Sequence, residues 1–327
     1  MRNANLKEPT GTLTGEDNRA YYPSTATAAD KFIYPGTGSV IVLENTKKGY
    51  SFSGTVQLAK AFSNGFSGSL AYTYTLATEV SPNPGSQATS AWQSIINKGT
   101  PNDVELYNSA YSIPHRVVGN LSYRFEYAHH FASTLSLYYE GEAQARFSYI
   151  IGGDLNRDGN SSSDLMYIYA KGSDVPFSNF TTTSGGVTTV KYTIAQQQAA
   201  YDQLISNSPY LRRHTGQYAE RNSALTPWYN RVDARFLQDF YVKTGTTRHT
   251  LEFSVDVLNL PNLLNRNWGI TDLYTINNPL SFKSIDATGQ PVYNLAEFNK
   301  ALVTTPFQRN ISTYSTWGMQ LGLRYIF

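Results

Sequence analysis

The sequence predicts an all-β fold, and three observations support this prediction. The last eleven residues alternate between large apolar and small or polar side chains, with Trp317 and Leu321 on one side and Gly318 and Gln320 on the other. Stretches with the same two-residue period recur along the chain, and the segments between them alternate between very short and very long. No apolar run reaches the roughly 20 residues that a membrane-spanning helix needs. This pattern is typical of antiparallel strands with one apolar and one polar face.

The composition favours strands that lie in a bilayer. Charged residues make up 15% of the chain, against about 25% in an average soluble domain. Aromatic residues reach 14%, with 25 tyrosines, and tyrosine is enriched where a membrane meets water. The net charge of +2 gives no support for a nucleic-acid partner, and the lack of cysteine excludes disulfides and thiolate metal sites within these 327 residues.

Seven strands are predicted from the two-residue period. They span residues 49–61, 65–77, 115–127, 132–147, 231–242, 248–260 and 317–327. In the first of them, Val56 and Leu58 alternate with Thr55 and Gln57. A further strand at residues 188–193 is the main alternative that would change this count.

The connections predict how the strands are oriented. The turns at 63–65, 128–130 and 243–247 are short, whereas residues 78–114, 148–227 and 263–313 are long, polar and rich in turn-forming residues. Outer-membrane barrels have short periplasmic turns and long extracellular loops. We therefore expect residues 1–48 to form an extracellular loop segment. Residues 49–327 are expected to form transmembrane strands with three extracellular loops, in a bacterial outer membrane with the C-terminus in the periplasm.

The odd number of strands predicts an incomplete barrel. A closed single-chain bacterial barrel has an even number of strands, because an unpaired edge is not tolerated in lipid. The first ten residues also lack the apolar segment of a signal peptide. We therefore expect a partial transmembrane antiparallel β-barrel, made of about seven C-terminal strands of a larger barrel whose other strands lie upstream or on another chain.

The final strand carries a candidate assembly signal. It ends on Tyr325-Ile326-Phe327, and this ending resembles the C-terminal insertion signal of outer-membrane barrels. The barrel-assembly machinery recognises that signal, so Tyr325 and Phe327 are expected to act in assembly, with this machinery and outer-membrane lipid as partners.

Four stretches resemble a known family of outer-membrane proteins. They are residues 45–50 (NTKKGY), 113–127 (IPHRVVGNLSYRFEY), 153–159 (GDLNRDG) and 255–269 (VDVLNLPNLLNRNWG). Their order and spacing are similar to the C-terminal barrel half of TonB-dependent outer-membrane receptors of the Bacteroidetes type, especially the Oar-like branch with a carboxypeptidase-regulatory-like domain. The resemblance covers most of residues 38–327.

The resemblance implies a barrel of about 22 strands around a plug, of which this chain would supply about the last third. It implies import of a large or scarce nutrient, such as an oligopeptide or protein, a glycan or a metal chelate. The implied partners are the TonB energising complex, acting through a region absent from this sequence, the plug and upstream strands of the receptor, and a surface lipoprotein. The alternative function is a non-transport barrel that acts as an adhesin or loop-display scaffold.

The sharpest local motif is a candidate calcium loop. Its oxygen-bearing residues are Asp154, Asn156, Asp158, Asn160 and Asp164. Alternating ligands followed by Gly159 reproduce the start of an EF-hand-type loop, but the closing carboxylate comes one residue early. The motif therefore predicts either a weak structural Ca²⁺ site or an Asx-rich turn without metal. No other cofactor is expected.

The remaining candidates are polar side chains on the strands and aromatic side chains in the loops. The polar side chains predicted to point inward are Asn120, Arg124, Glu140, Asp233, Arg235, Asp239, Glu252, Asp256 and Arg324. They would line a substrate path, or pair with one another and with a plug. The aromatic residues Tyr21, Tyr22, Trp92, Tyr210 and Trp228 would stack on a ligand or pack the loops together. For Trp228, next to Pro227, a place in the outer aromatic girdle is a further alternative.

We expect no enzymatic activity. Of the five histidines, only His115 is predicted near the outer rim, where outer-membrane hydrolases hold their catalytic histidine, and no nucleophile motif accompanies it. No HExxH zinc motif or phosphate-binding loop occurs either.

Overall fold

The chain is mainly β-structure in a computed structural model that describes residues 1–22, 31–82, 84–103 and 105–327. Residues 23–30 of the predicted N-terminal segment, and positions 83 and 104 of the first predicted long loop, lie outside the described residues. Within the described residues, no helix is both long and apolar enough to cross a membrane.

Seven long strands form one antiparallel sheet, as the sequence predicts. They are β1 (Tyr50–Ser63), β2 (Phe66–Glu79), β3 (His115–Tyr127), β4 (Phe131–Ala143), β5 (Trp228–Thr244), β6 (Thr247–Leu258) and β7 (Gly318–Ile326). Each strand pairs with the next along the chain, so β1 and β7 form the two edges of the sheet. The two-residue strand Tyr107–Asn108 extends the sheet beside the end of β2.

Two of the three short turns have the backbone geometry that their residues favour, whereas the β3–β4 turn has a φ of 50° at Ala128, which alanine disfavours. Asn64 and Gly65 connect β1 to β2 with φ angles of 52° and 79°, the sign that a two-residue type I′ hairpin turn requires. Gly65 is also sterically required, because a Cβ atom there would clash with the Arg124 carbonyl oxygen of β3. Gly245, in the β5–β6 turn, has a φ of 64°. These local signals explain why the β1–β2 and β5–β6 turns are predictable from sequence.

Two predicted strands differ from the observed strands by more than two residues at one end. The strand predicted at 132–147 ends at Ala143, and Arg146 and Phe147 pair instead with Leu225 and Ala224 in the connections. The strand predicted at 231–242 extends over Trp228–Thr244. The alternative strand at 188–193 corresponds to Val187–Tyr192, which forms a hairpin with Phe180–Ser184. Since neither hairpin strand joins the sheet of β1–β7 within the described residues, the count of seven long strands holds.

The long connections and the N-terminal segment fold together into what we call the connection layer, residues 1–22, 31–49, 80–114, 144–227 and 259–317, apart from positions 83 and 104. Its helices are α1 (Ala88–Gln93), α2 (Ile194–Asn207), α3 (Pro209–Arg213) and α4 (Leu260–Leu264), with 3-10 turns at Gly172–Asp174 and Thr313–Ser315. Its other strands are Arg2–Asn3, Gly11–Thr12, Ala20–Tyr21, Ile41–Val42, Ile151–Gly152, Tyr167–Ile168, Gln217–Tyr218, Asp272–Tyr274, Leu280–Ile285, Pro291–Leu295, Glu297–Phe298, Ala301–Leu302 and Phe307–Arg309, besides those already given.

The hydrophobic core lies in the connection layer. Its fully buried members include Ile151, Leu155, Ile168, Tyr201 and Leu295. Four of them come from residues 144–227 and Leu295 comes from residues 259–317, so segments that look polar and irregular in sequence enclose an apolar centre. Helix α2 begins with a capping box in which Thr193 and Gln196 bond each other's backbone N–H groups, and this cap fixes the start of the helix against that centre.

Within the connection layer, the N-terminal segment packs on itself and on the first connection. Arg2 and Asn3 pair with Val42 and Ile41, and a second cluster joins Leu6 and Tyr22 to Trp92 and Ile95 of the first connection. Tyr22 and Trp92 are therefore packing residues, the second of the two roles that the sequence leaves open for them.

Candidate functional site

One face of the sheet is mainly apolar, and each of the seven strands exposes large apolar side chains on it. On this face the side chains of Val56, Leu58, Leu321 and Leu323 are 70%, 73%, 63% and 72% exposed. Register places them on the same side as Leu70, Leu121, Leu135 and Phe253 of the intervening strands. A contiguous apolar surface of this extent is uncommon on soluble monomers and marks contact with a membrane or another apolar partner.

Aromatic rings border this face at both ends of the strands. At the end with short turns, the rings of Tyr123, Phe125, Tyr127, Phe131 and Phe240 follow one another with centroid separations of 5.4 to 5.9 Å. At the opposite end, His115 lies against Tyr72 and Tyr74, and Trp228 is 43% exposed. Aromatic bands on either side of an aliphatic band are the pattern of transmembrane barrels.

The predicted assembly residues lie in the aromatic band at the short-turn end. Tyr325 is opposite Leu251 in the β6–β7 pairing. Its ring stacks between His249, at 6.1 Å, and Phe327, at 5.7 Å, and its hydroxyl is 2.8 Å from His249 Nδ1.

The other face of the sheet is polar and internally paired. Hydroxyl groups bond across β1 and β2, with 2.9 Å between the Thr55 and Thr73 oxygens. Ion pairs follow on the later strands: Arg116 with Glu140 and Glu142, Arg124 with Asp239, Arg231 with Asp233, and Arg235 with Asp256. Most of the charged side chains predicted to point inward therefore form ion pairs on this face of the sheet. Glu252 and Arg324 lie opposite each other in register.

A buried charge network joins the N-terminal segment to two long connections. Arg19 and Asp17, both with fully buried side chains, form a two-point pair at 2.9 Å. Arg19 Nη1 also lies 3.4 Å from Asp164 Oδ1. The hydroxyls of Tyr218 and Tyr293 donate to Asp17 at 3.0 and 2.9 Å. One arginine thus balances two buried carboxylates that come from separate parts of the chain.

The predicted calcium loop is closed by its own hydrogen bonds. Asp154 Oδ2 accepts from Gly159 N at 2.8 Å, and Asn156 Oδ1 accepts from Asp158 N at 2.9 Å. Asp158 Oδ1 accepts from Asn160 N at 2.7 Å. These contacts are those of an Asx-rich turn, although side chains of calcium loops also brace their backbone in this way.

The fifth predicted ligand has other partners. Asp164 Oδ2 accepts from Leu155 N and Asn156 N at 2.9 and 3.3 Å, and its other oxygen lies beside Arg19. Across the described parts of the chain, no group of three His, Cys, Asp or Glu side chains is arranged to hold a metal ion. The structure therefore brings Asp154, Asn156, Asp158 and Asn160 into one turn but engages Asp164 with the buried arginine.

Two features of this loop nevertheless suit a cation. Asp154 Oδ1 and Asp164 Oδ1 are buried and accept no hydrogen bond. Burial, followed by the charge of Asp154, raises the pKa of Asp158 to about 6, and burial raises the pKa of Asp164 to about 7 against the opposing effect of Arg19. The Lys31 ammonium donates to the Asp158 carbonyl oxygen and partly offsets the carboxylate charges. A bound cation would relieve the remaining repulsion.

An apolar cavity of about 450 Å³ opens within the connection layer. Its walls include Phe147, Tyr149, Tyr210 and Phe307, and Arg213 and His214 also line it. Sequence reasoning identified Tyr210 as a loop aromatic but did not connect it with the other residues. The i, i+4 spacing of Tyr210 and His214 would have predicted their stacking on a helix, whereas Phe147, Tyr149 and Phe307 carry no such signal because they meet only through the fold.

Comparison of the chain with protein-family models, with curated proteins and with solved structures found no match.

Proposed function

We propose that this chain is the C-terminal section of a TonB-dependent outer-membrane importer for a large or scarce nutrient. The observation that carries the proposal is the seven-stranded sheet with one exposed apolar face, bordered by aromatic rings, and one ion-paired polar face. An apolar face of this kind is stable in contact with lipid, while the polar face suits a water-filled or plugged interior.

In this proposal the strands form part of a barrel wall in the bacterial outer membrane. The edges β1 and β7 pair with further strands of a larger barrel, because an open edge is costly in lipid. The connection layer lies outside the cell and captures substrate, while the polar face contacts a plug. The barrel-assembly machinery, the TonB complex and a surface lipoprotein are the proposed partners, on the family resemblance of the four sequence stretches.

A pair of neighbouring substitutions tests the membrane face. Leu58→Arg places a charge on the apolar face, whereas Gln57→Arg places the same charge one residue away on the polar face. Arginine on the lipid face costs about 2–4 kcal/mol at mid-membrane. We expect Leu58→Arg to reduce the heat-modifiable protein in outer-membrane fractions several-fold and Gln57→Arg to leave it unchanged. Equal assembly of the two variants would argue against a lipid-facing sheet.

The adhesin or display scaffold is the second candidate. It is favoured by the connection layer, which encloses its own hydrophobic core and could present a surface without any transport. The intact mass of the native polypeptide from outer membranes, with peptide mapping upstream of Met1, separates the two functions. A plug domain in the same polypeptide or in a partner chain supports the importer, and a barrel without a plug supports the scaffold.

We also propose that the loop at residues 154–164 binds a structural Ca²⁺. The Asp154 Oδ1 oxygen, which is buried and accepts no hydrogen bond from the described residues, supports this proposal. With Asp164 shared with Arg19, the site would be weak and suited to extracellular calcium at about 10⁻⁴–10⁻³ M.

A further inference from the structure

The cavity in the connection layer has an almost continuous aromatic wall. The rings of Phe307, Phe147, Tyr149, Tyr210 and His214 follow one another, with centroid separations of 6.2, 5.0, 5.7 and 4.2 Å. The volume of about 450 Å³ lies within the range of about 300–1,000 Å³ for small-molecule sites. An apolar or aromatic group that enters would find both ring edges and ring faces to pack against.

The wall is held in place before any ligand binds. Ser208 caps α3 by accepting from Leu211 N at 3.2 Å, and Tyr210 Oη accepts from Glu220 N at 2.9 Å. His214 Nδ1 lies 2.8 Å from the Tyr210 carbonyl oxygen. Because Nδ1 therefore carries a proton and donates it there, Nε2 is left for another partner. The rings do not need to be ordered on binding, which lowers its entropic cost.

One buried polar group in the wall has no satisfactory partner. Tyr149 is 1% exposed, and its hydroxyl lies beside that of Ser208 but outside hydrogen-bonding geometry with the described residues. Burial raises the pKa of this hydroxyl to about 12, so it is a neutral donor at physiological pH. The hydroxyl oxygen is itself buried, so Tyr149 contributes its ring and not a hydrogen bond to the cavity.

The charge lining the cavity is positive. Arg213 is exposed in the last turn of α3 and forms no ion pair with another described residue. No aspartate or glutamate is among the lining residues. A carboxylate placed at Arg213 would therefore gain a charge-assisted hydrogen bond without facing a competing acid.

We infer that this cavity binds an aromatic carboxylate, with the ring inside the aromatic wall and the carboxylate at Arg213. The C-terminal aromatic residue of a peptide has this chemistry. The inference rests on the proposed import function, since it names a substrate class for the connection layer. Binding itself can be measured without transport, so the two proposals can fail separately.

Three small probes test the inference on the full chain extracted from membranes in detergent. N-acetylphenylalanine carries both the ring and the carboxylate, N-acetylphenylalaninamide lacks the carboxylate, and N-acetylglycine lacks the ring. Ligand-observed NMR titrations are expected to rank N-acetylphenylalanine first by about tenfold or more. Equal affinities for the three probes, or no binding at millimolar concentration, would overturn the inference.

Adjacent arginines supply a matched pair of variants. Arg213→Gln removes the charge that lines the cavity, and Arg212→Gln removes an exposed charge from the same helical turn that does not line it. Arg213→Gln should weaken the binding of N-acetylphenylalanine about tenfold and leave the affinity for the amide probe unchanged. Arg212→Gln should change neither affinity. The same loss in both variants would mean a general electrostatic effect and would refute the site.

The membrane test of Leu58→Arg and Gln57→Arg is independent of these titrations. Selective probe binding, together with no difference between those two variants, would retain the cavity and reject the importer. Face-dependent assembly without probe binding would retain the importer and reject the cavity as a binding site.

Discussion

At the scale of single residues, Arg19 connects the N-terminal segment to the connection at residues 144–227. Its guanidinium contacts Asp17 and Asp164 and donates to the Leu165 carbonyl oxygen at 2.6 Å. All three charged side chains are fully buried. Removing one partner of such a group leaves uncompensated charge in a medium of low polarity, which is more damaging than losing the attraction itself.

We therefore predict that Arg19→Met destabilises the connection layer by about 3–5 kcal/mol. The exposed pair of Arg2 and Glu44, with side chains 57% and 58% exposed, provides the control, because Arg2→Met should change stability by about 0.5 kcal/mol or less. Urea unfolding followed by the fluorescence of the buried Trp92 would measure both. Similar midpoints for the two variants would show that the buried network contributes little.

The calcium proposal also belongs to single residues. With calcium at about 1 mM, the connection spanning residues 148–227 should be cleaved more slowly by protease than with a chelator, because the ion holds the two ends of the loop together. Asp154→Ala should remove that difference. Asp286 makes similar turn hydrogen bonds in another connection, so Asp286→Ala should preserve it. Identical cleavage with calcium and chelator in the unmodified protein would favour the plain Asx turn.

At the scale of elements, the hairpin turns set the register of the strands that they join. Gly65 and Gly245 both have positive φ, at 79° and 64°. A side chain at Gly245 would meet nothing within 4 Å, whereas one at Gly65 would clash with the backbone of β3. The two turns thus share a conformational requirement and differ in a steric one.

We predict that Gly245→Ala costs about 1 kcal/mol from left-handed backbone strain alone and that Gly65→Ala costs clearly more. Comparing the urea concentration at which each variant loses its heat-modifiable form would measure the difference. An equal loss for the two substitutions would mean that β3 moves aside without penalty.

At the scale of the whole molecule, the large apolar residues fall into two groups, one buried in the connection layer and one exposed on the sheet. Those of the connection layer bury one another, as Leu155 and Tyr201 do. Those of the sheet, such as Leu58 and Leu323, are exposed and need a partner outside the described chain. This division is the physical basis for proposing a membrane location, since lipid or another apolar partner would cover such a face over seven strands.

The sequence by itself determined the strands and turns, because these depend on local physics: alternation over two residues for β1–β7 and left-handed positions at Asn64 and Gly65. It also identified which face of each strand is apolar. Its errors fell where pairing partners are distant, as at Arg146 and Phe147, which leave the predicted strand to pair with residues 224 and 225.

Only the tertiary structure decided how the connections pack. Arg19 contacts Asp164, 145 positions further along the chain, and Phe147 contacts Phe307, 160 positions further along. No local sequence pattern marks such pairs. Asp164 looks like a metal ligand in sequence, but the fold brings a buried arginine to it. Periodicity can reveal which way a side chain points, whereas its partner depends on the path of the whole chain.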